Sequence, residues 1–96
     1  MMAFYVYMVM NLKTGALYIG QTDDISRRAH EHKYGLLPGW SREHGCKTLV
    51  WYGEFESRDS ARQREWQMKK WKREWKLNLI REDNPGFDDL YDRLNL

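Results

Sequence analysis

A single cysteine, no long apolar run and almost no net charge are the first features of this 96-residue sequence. Each lack removes a class of protein. Cys46 alone can form neither an internal disulfide nor a multi-cysteine zinc site. The first strongly apolar run is too short for a signal peptide or a membrane span, which points to the cytoplasm and to no membrane partner. No repeat, linker or low-complexity segment divides the chain, and its length suffices for one hydrophobic core but not two. A single domain over residues 1–96 is therefore expected. The net charge of +2 does not by itself announce a nucleic-acid ligand.

What is present says more. Apolar residues make up 42% of the chain, and five Trp and six Tyr offer enough buriable area for a small domain to offset its conformational entropy. Charge is segregated along the sequence. Arg58, Arg62, Arg64, Lys69, Lys70, Lys72, Arg73 and Lys76 face only Asp59, Glu65 and Glu74, a stretch of net +5. Glu82, Asp83, Asp88, Asp89 and Asp92 face only Arg93, a stretch of net −4. A basic helix beside a solvating acidic tail suits a polyanionic ligand.

Phe4 to Met10 and Ala16 to Gly20 are aromatic and β-branched runs around a Gly15-containing turn, and they read as a β-hairpin. Asp23 or Asp24 caps a helix to about Tyr34, before Gly35. A loop over 35–45 leads to a third strand at Thr48 to Phe55. Ser57 or Asp59 opens a long helix through at least Lys76, and Asn84-Pro85-Gly86 breaks the chain before a short helix from about Asp88. The order β-β-α-β-α-α predicts an α+β fold, a small three-stranded antiparallel sheet flanked by helices.

The informative residues are polar ones on apolar helix faces. Ile25, Arg28, Ala29 and His32 form one stripe at i, i+3, i+4 and i+7, which leaves Arg27 and His30 off it. Glu65 shares a broad stripe with Ala61, Met68 and Trp75. A charge on an inward face is costly unless paired. Either Arg28 and Glu65 bridge each other, or both snorkel at the stripe's edge, or they line a cleft in which arginine holds a phosphate and glutamate a hard cation. If the hairpin turn is centred between Leu12 and Lys13, Tyr7 lies opposite Tyr18 on one sheet face, whereas a one-residue slip separates them. His30 and His32 diverge on a helix and do not make a metal pair. His44 and Cys46 have no evident partner.

Together these residues resemble the GIY-YIG nuclease family, closest to its short single-domain branch. Tyr5-Val6-Tyr7 stands where the family has Gly-Ile-Tyr, and Tyr18-Ile19-Gly20 is its second tripeptide. Arg28 and His32 match an Arg-x-x-x-His helix, Glu65 matches the metal-binding glutamate, and Asn84-Pro85-Gly86-Phe87 looks like the short branch's ending. Asn78 and Asn84 both compete for the family's late asparagine. Tyr5 replaces the first glycine, a position without side-chain chemistry. The resemblance implies a metal-dependent DNA endonuclease acting in repair, recombination or processing. Its catalytic residues would be Tyr7, Tyr18, Arg28, His32 and Glu65, with Mg²⁺ or Mn²⁺ on Glu65 and DNA along Lys69, Lys70 and Arg73. Two rivals compete with it. One is a non-catalytic nucleic-acid-binding module with exposed Trp40 or Trp66 stacking on bases. The other is a structural domain stabilised by an Arg28–Glu65 pair.

Overall fold

In the computed structural model, which describes residues 3–94, the strands are β1 (Phe4–Met10), β2 (Leu17–Thr22) and β3 (Thr48–Phe55). The helices are α1 (Ile25–Lys33), α2 (Trp40–Glu43), α3 (Arg58–Lys69), α4 (Arg73–Asp83) and α5 (Tyr91–Leu94). The antiparallel sheet has the order β2-β1-β3. The predicted α+β architecture holds, with a one-turn α2 added where a loop was expected.

The central place of β1 follows from its composition. Val6 through Met10 are all buried, as a strand covered on both faces requires. Strand alternation sends Val6, Met8 and Met10 to one side, where they pack with Ala61 and Met68 of α3 and Ile80 of α4. Tyr7 and Val9 go to the other side, with Ile25 and Ala29 of α1, Leu49 and Leu90. The sheet is thus the middle of three layers.

The hairpin register differs from expectation. Tyr7 pairs with Gly20, and Tyr18 pairs with Val9. The turn is longer than supposed because Asn11 organises it: its Oδ1 accepts from the backbone N–H of Lys13 and of Thr14, and its own N–H donates to Ala16 O at 2.9 Å. Gly15 at φ +80 completes the turn. The shift is two residues, so it preserves the face, and the tyrosines become diagonal neighbours on the same side.

The expected long helix is broken. Lys70 closes α3, and Lys72, in an extended conformation (φ −61, ψ 147), opens α4. A straight helix over all residues from Arg58 to Asp83 would run about 39 Å, beyond the molecule's longest dimension of 36 Å. Both Met68 and Ile80 are fully buried against the sheet, and only a turn between them permits that. Nor is the acidic segment a detached solvating tail. Lys33 pairs with Asp89 at 2.8 Å, and the buried Asn84 side chain donates to Val50 O and Asp88 O and accepts from Asp88 N. Leu90 N donates to Leu49 O, so the segment covers the outer edge of β3.

Candidate active site

Tyr7 is the buried centre of the polar cluster. Its ring lies over Gly20, where a Cβ would stand 2.6 Å from Tyr7 Cζ, so the glycine of the second tripeptide makes room for the tyrosine of the first. The Tyr7 hydroxyl is 2.8 Å from His32 Nε2, and His32 Nδ1 is 3.4 Å from Ser41 Oγ. His32 is only 5% exposed. Burial, helped by the nearby Arg28 charge, lowers its pKa to about 4, so the ring is neutral at pH 7. A proton on Nδ1 directed at Ser41 leaves Nε2 free to accept from the Tyr7 hydroxyl. Burial first, then the Tyr18 phenol, push the Tyr7 pKa well above that of a free phenol, while Arg28 pulls it down as a charge and as a donor. Tyr7 therefore holds its proton in the resting protein and shares it with the neutral Nε2 through the hydrogen bond.

Around this pair stand the other predicted residues. The Tyr18 ring is 6.4 Å from that of Tyr7 and 5.7 Å from His32. Trp40 stacks on Tyr18 at 6.5 Å and on His44 at 4.0 Å. Lys69 Nζ lies 5.8 Å from the Tyr18 ring centre and 3.6 Å from Glu65 Oε2. Glu65 is close enough to act on Tyr7 electrostatically, opposing its ionisation. Tyr7, Tyr18, Arg28, His32 and Glu65 are thus brought together. Arg27 and His30 face away, with His30 Nδ1 2.9 Å from Tyr91 Oη.

The Arg28–Glu65 bridge is not among the ion pairs of the described residues. Arg28 Nε instead faces Glu31 Oε1 at 3.2 Å, without hydrogen-bond alignment, and Glu65 is paired by Lys69 one turn along α3. Both charges have local partners, which removes the buried-pair reading.

The three residues expected on a DNA path separate. Lys69 is engaged with Glu65 and Tyr18. Lys70 lies 3.4 Å over the Trp66 ring. Arg73, at the start of α4, rests against Gly15 of the hairpin turn. Asn84 is structural, and Asn78 is exposed and bonded to Arg81, so neither joins the Tyr7 cluster through a recorded bond. Ser41 escaped sequence reasoning because a loop with a one-turn helix has no periodicity from which to read a face.

No group of three or more His, Cys, Asp or Glu side chains that could hold a metal is present among the described residues. That donor set does not suit a protein cage. It does suit Mg²⁺, which keeps several waters and takes one or two carboxylates with substrate phosphate oxygens. Glu65, partly exposed at the cluster's rim, is the carboxylate available for it.

Comparison with known proteins identifies the domain. The model of the GIY-YIG catalytic domain matches residues 3–78, a span that holds all five clustered residues. The UPF0213 protein CPE1444 of Clostridium perfringens is 36% identical over 76 residues, 79% of this chain and 81% of the relative. The UPF0213 protein HQ_3675A of Haloquadratum walsbyi is 36% identical over 78 residues, 81% of this chain and 86% of the relative. The solution NMR structure of the UPF0213 protein BH0048 from Bacillus halodurans superposes with a TM-score of 0.58 at 30% identity, covering 92% of this chain and 93% of that one. On the strength of the matched domain and of these relatives, the chain belongs to the GIY-YIG catalytic-domain family.

Proposed function

We propose that this protein is a metal-dependent nuclease that hydrolyses phosphodiester bonds in DNA, with a place in repair, recombination or processing. The observation that carries the reading is the buried Tyr7–His32 hydrogen bond of 2.8 Å, set within reach of Arg28 and Glu65. A protonated phenol is a poor base alone, but a phenol donating to a neutral imidazole can relay. As water attacks phosphorus, its proton passes to the Tyr7 oxygen while the Tyr7 proton moves to His32 Nε2, whose low resting basicity the negative charge of a bound phosphate raises. Arg28 holds a non-bridging phosphate oxygen and offsets the charge that develops there. Tyr18 packs against Tyr7 and His32 and fixes the line of the relay. Glu65 would hold Mg²⁺ or Mn²⁺, which when bound would supply Lewis-acid neutralisation of phosphate charge.

One observation favours a non-catalytic DNA-binding module instead: Lys69 already occupies the Glu65 carboxylate. A partly exposed i, i+4 pair is worth no more than about 1 kcal/mol, so a divalent cation displaces it readily. Incubation with labelled single-stranded, duplex and branched DNA, each with Mg²⁺ or EDTA, separates the readings. Cleavage of at least one substrate that EDTA abolishes is expected. DNA binding without cleavage of any of them would favour the module.

A further inference from the structure

A polar concavity lies beyond the Tyr7 cluster, where the hairpin turn, α2 with the segment after it, and the start of α4 meet. It is a shallow depression of about 790 Å³, broadly open to solvent, lined by Gly15, Arg42, Glu43, His44, Lys47 and Arg73, among others. Three cations face one carboxylate there, and none of Arg42, Lys47 and Arg73 has an ion-pair partner among the described residues. Its walls are held. Asn11 Nδ2 donates to His44 O at 3.0 Å, tying turn to loop, and a Cβ on Gly15 would stand 2.7 Å from Arg73 Nη2, so the missing side chain admits the guanidinium. Unpaired cations around a fixed concavity suit a ligand with several negative oxygens.

Its position narrows the ligand. Ala16 lines the cleft, and Tyr18 lies two residues along the same chain, a step of about 7 Å in a strand. On the opposite wall His44 stacks on Trp40, which stacks on Tyr18. A strand whose scissile phosphate lay at Tyr7 and Arg28 and which ran on past Tyr18 and Trp40 would reach this cleft.

We infer that the cleft is an accessory phosphate subsite: Arg42, Lys47 and Arg73 hold a neighbouring backbone phosphate of the same DNA strand and set its register on the catalytic cluster. The inference deepens the nuclease reading and rests on it for the strand's direction, but its test is made on binding, without cleavage. Arg42 and Lys47 are exposed, so R42Q/K47Q is expected to fold normally.

Fluorescence anisotropy of a labelled oligonucleotide in EDTA, over a series of salt concentrations, measures the effect. Each lost phosphate contact lowers the slope of log affinity against log salt by about 0.7–0.9, so the double variant should lose about 1.4–1.8 from the slope and bind at least tenfold more weakly at low salt. R81Q/R93Q, which removes the same charge elsewhere, should change the slope less than half as much. With Mg²⁺, R42Q/K47Q should raise KM in step with the lost affinity and also lower single-turnover cleavage at saturation, as loss of register requires. An unchanged slope, or an equal change in the control pair, would overturn the subsite. So would a cleft that takes only small anions, seen as inorganic phosphate raising the Tm of wild type but not of the variant while oligonucleotide binding is unaffected. A wild-type protein that binds through Arg42 and Lys47 yet cleaves nothing would leave the subsite standing and sink the nuclease reading instead.

Discussion

A phenol held 2.8 Å from a neutral imidazole can pass a proton only while both rings stay in line, and burial keeps them there. Tyr7→Phe removes the relay atom and leaves His32 Nε2 unbonded, so cleavage should fall by about 10²–10⁴, measured under single turnover. Burial of neutral His32 also leaves a mark on stability. Its folded pKa, about 4, lies below the unfolded value near 6.5, so the unfolded chain takes up the proton first. His32 thus has no pH effect on stability above about pH 6.5 and costs up to about 3 kcal/mol as pH falls from there through 4. The wild-type minus His32→Gln difference in urea unfolding free energy, followed from pH 7.5 to 4.5, should shrink accordingly. A difference that stays constant would mean His32 titrates as a free histidine. Gly20 is a third test, because an added methyl meets a ring that is itself fully buried. Gly20→Ala should cost about 1–3 kcal/mol by overpacking and reduce cleavage, whereas a neutral effect in a urea melt would mean that Tyr7 can move aside.

Among the elements, the break between α3 and α4 is the feature that local sequence conceals most. Residues 70–72 contain neither Gly nor Pro, and Trp71 and Trp75 keep helical spacing across it. The break exists because Met68 and Ile80 must both reach the sheet, which is a tertiary demand. Lys72 stands at the α4 N-cap without a side-chain cap bond. Lys72→Ser should therefore stabilise by about 0.5–1 kcal/mol, since serine can accept from an unpaired N–H of the first turn. In an unbroken helix the same change would destabilise, so the sign of the shift in denaturation midpoint decides. The hairpin shows the complementary case. Its strands were legible from alternation, but its register was not, since that depended on Asn11 side-chain bonds that lengthen the turn. The tyrosine face survived because the error was an even number of residues. Helix stripes made Arg28, His32 and Glu65 legible as inward polar groups. Ser41, Arg42 and Lys47 stayed hidden because they come from a segment without periodicity, and only the fold brings them to α1 and the hairpin turn.

Seen as a whole molecule, a chain of net charge +2 keeps its charges apart. The acidic segment closes over the β3 edge through Asn84, Leu90 and the Lys33–Asp89 pair. Arg42, Lys47 and Arg73, without ion-pair partners among the described residues, come together around the hairpin turn. Glu65 has one local partner, Lys69, at 3.6 Å. The central claim is that this carboxylate serves a metal and not the fold. A single preparation of Glu65→Gln tests it in three readings: single-turnover cleavage with Mg²⁺, oligonucleotide affinity in EDTA, and Tm without metal. Cleavage should fall by at least about 10²-fold, in line with loss of a charge-stabilising group. Affinity should stay within about threefold, and Tm should move by no more than about 4 °C, the effect of losing one exposed ion pair in a domain of this size. A Glu65→Gln protein that cleaves as fast as wild type, or that unfolds far below it, would contradict the account.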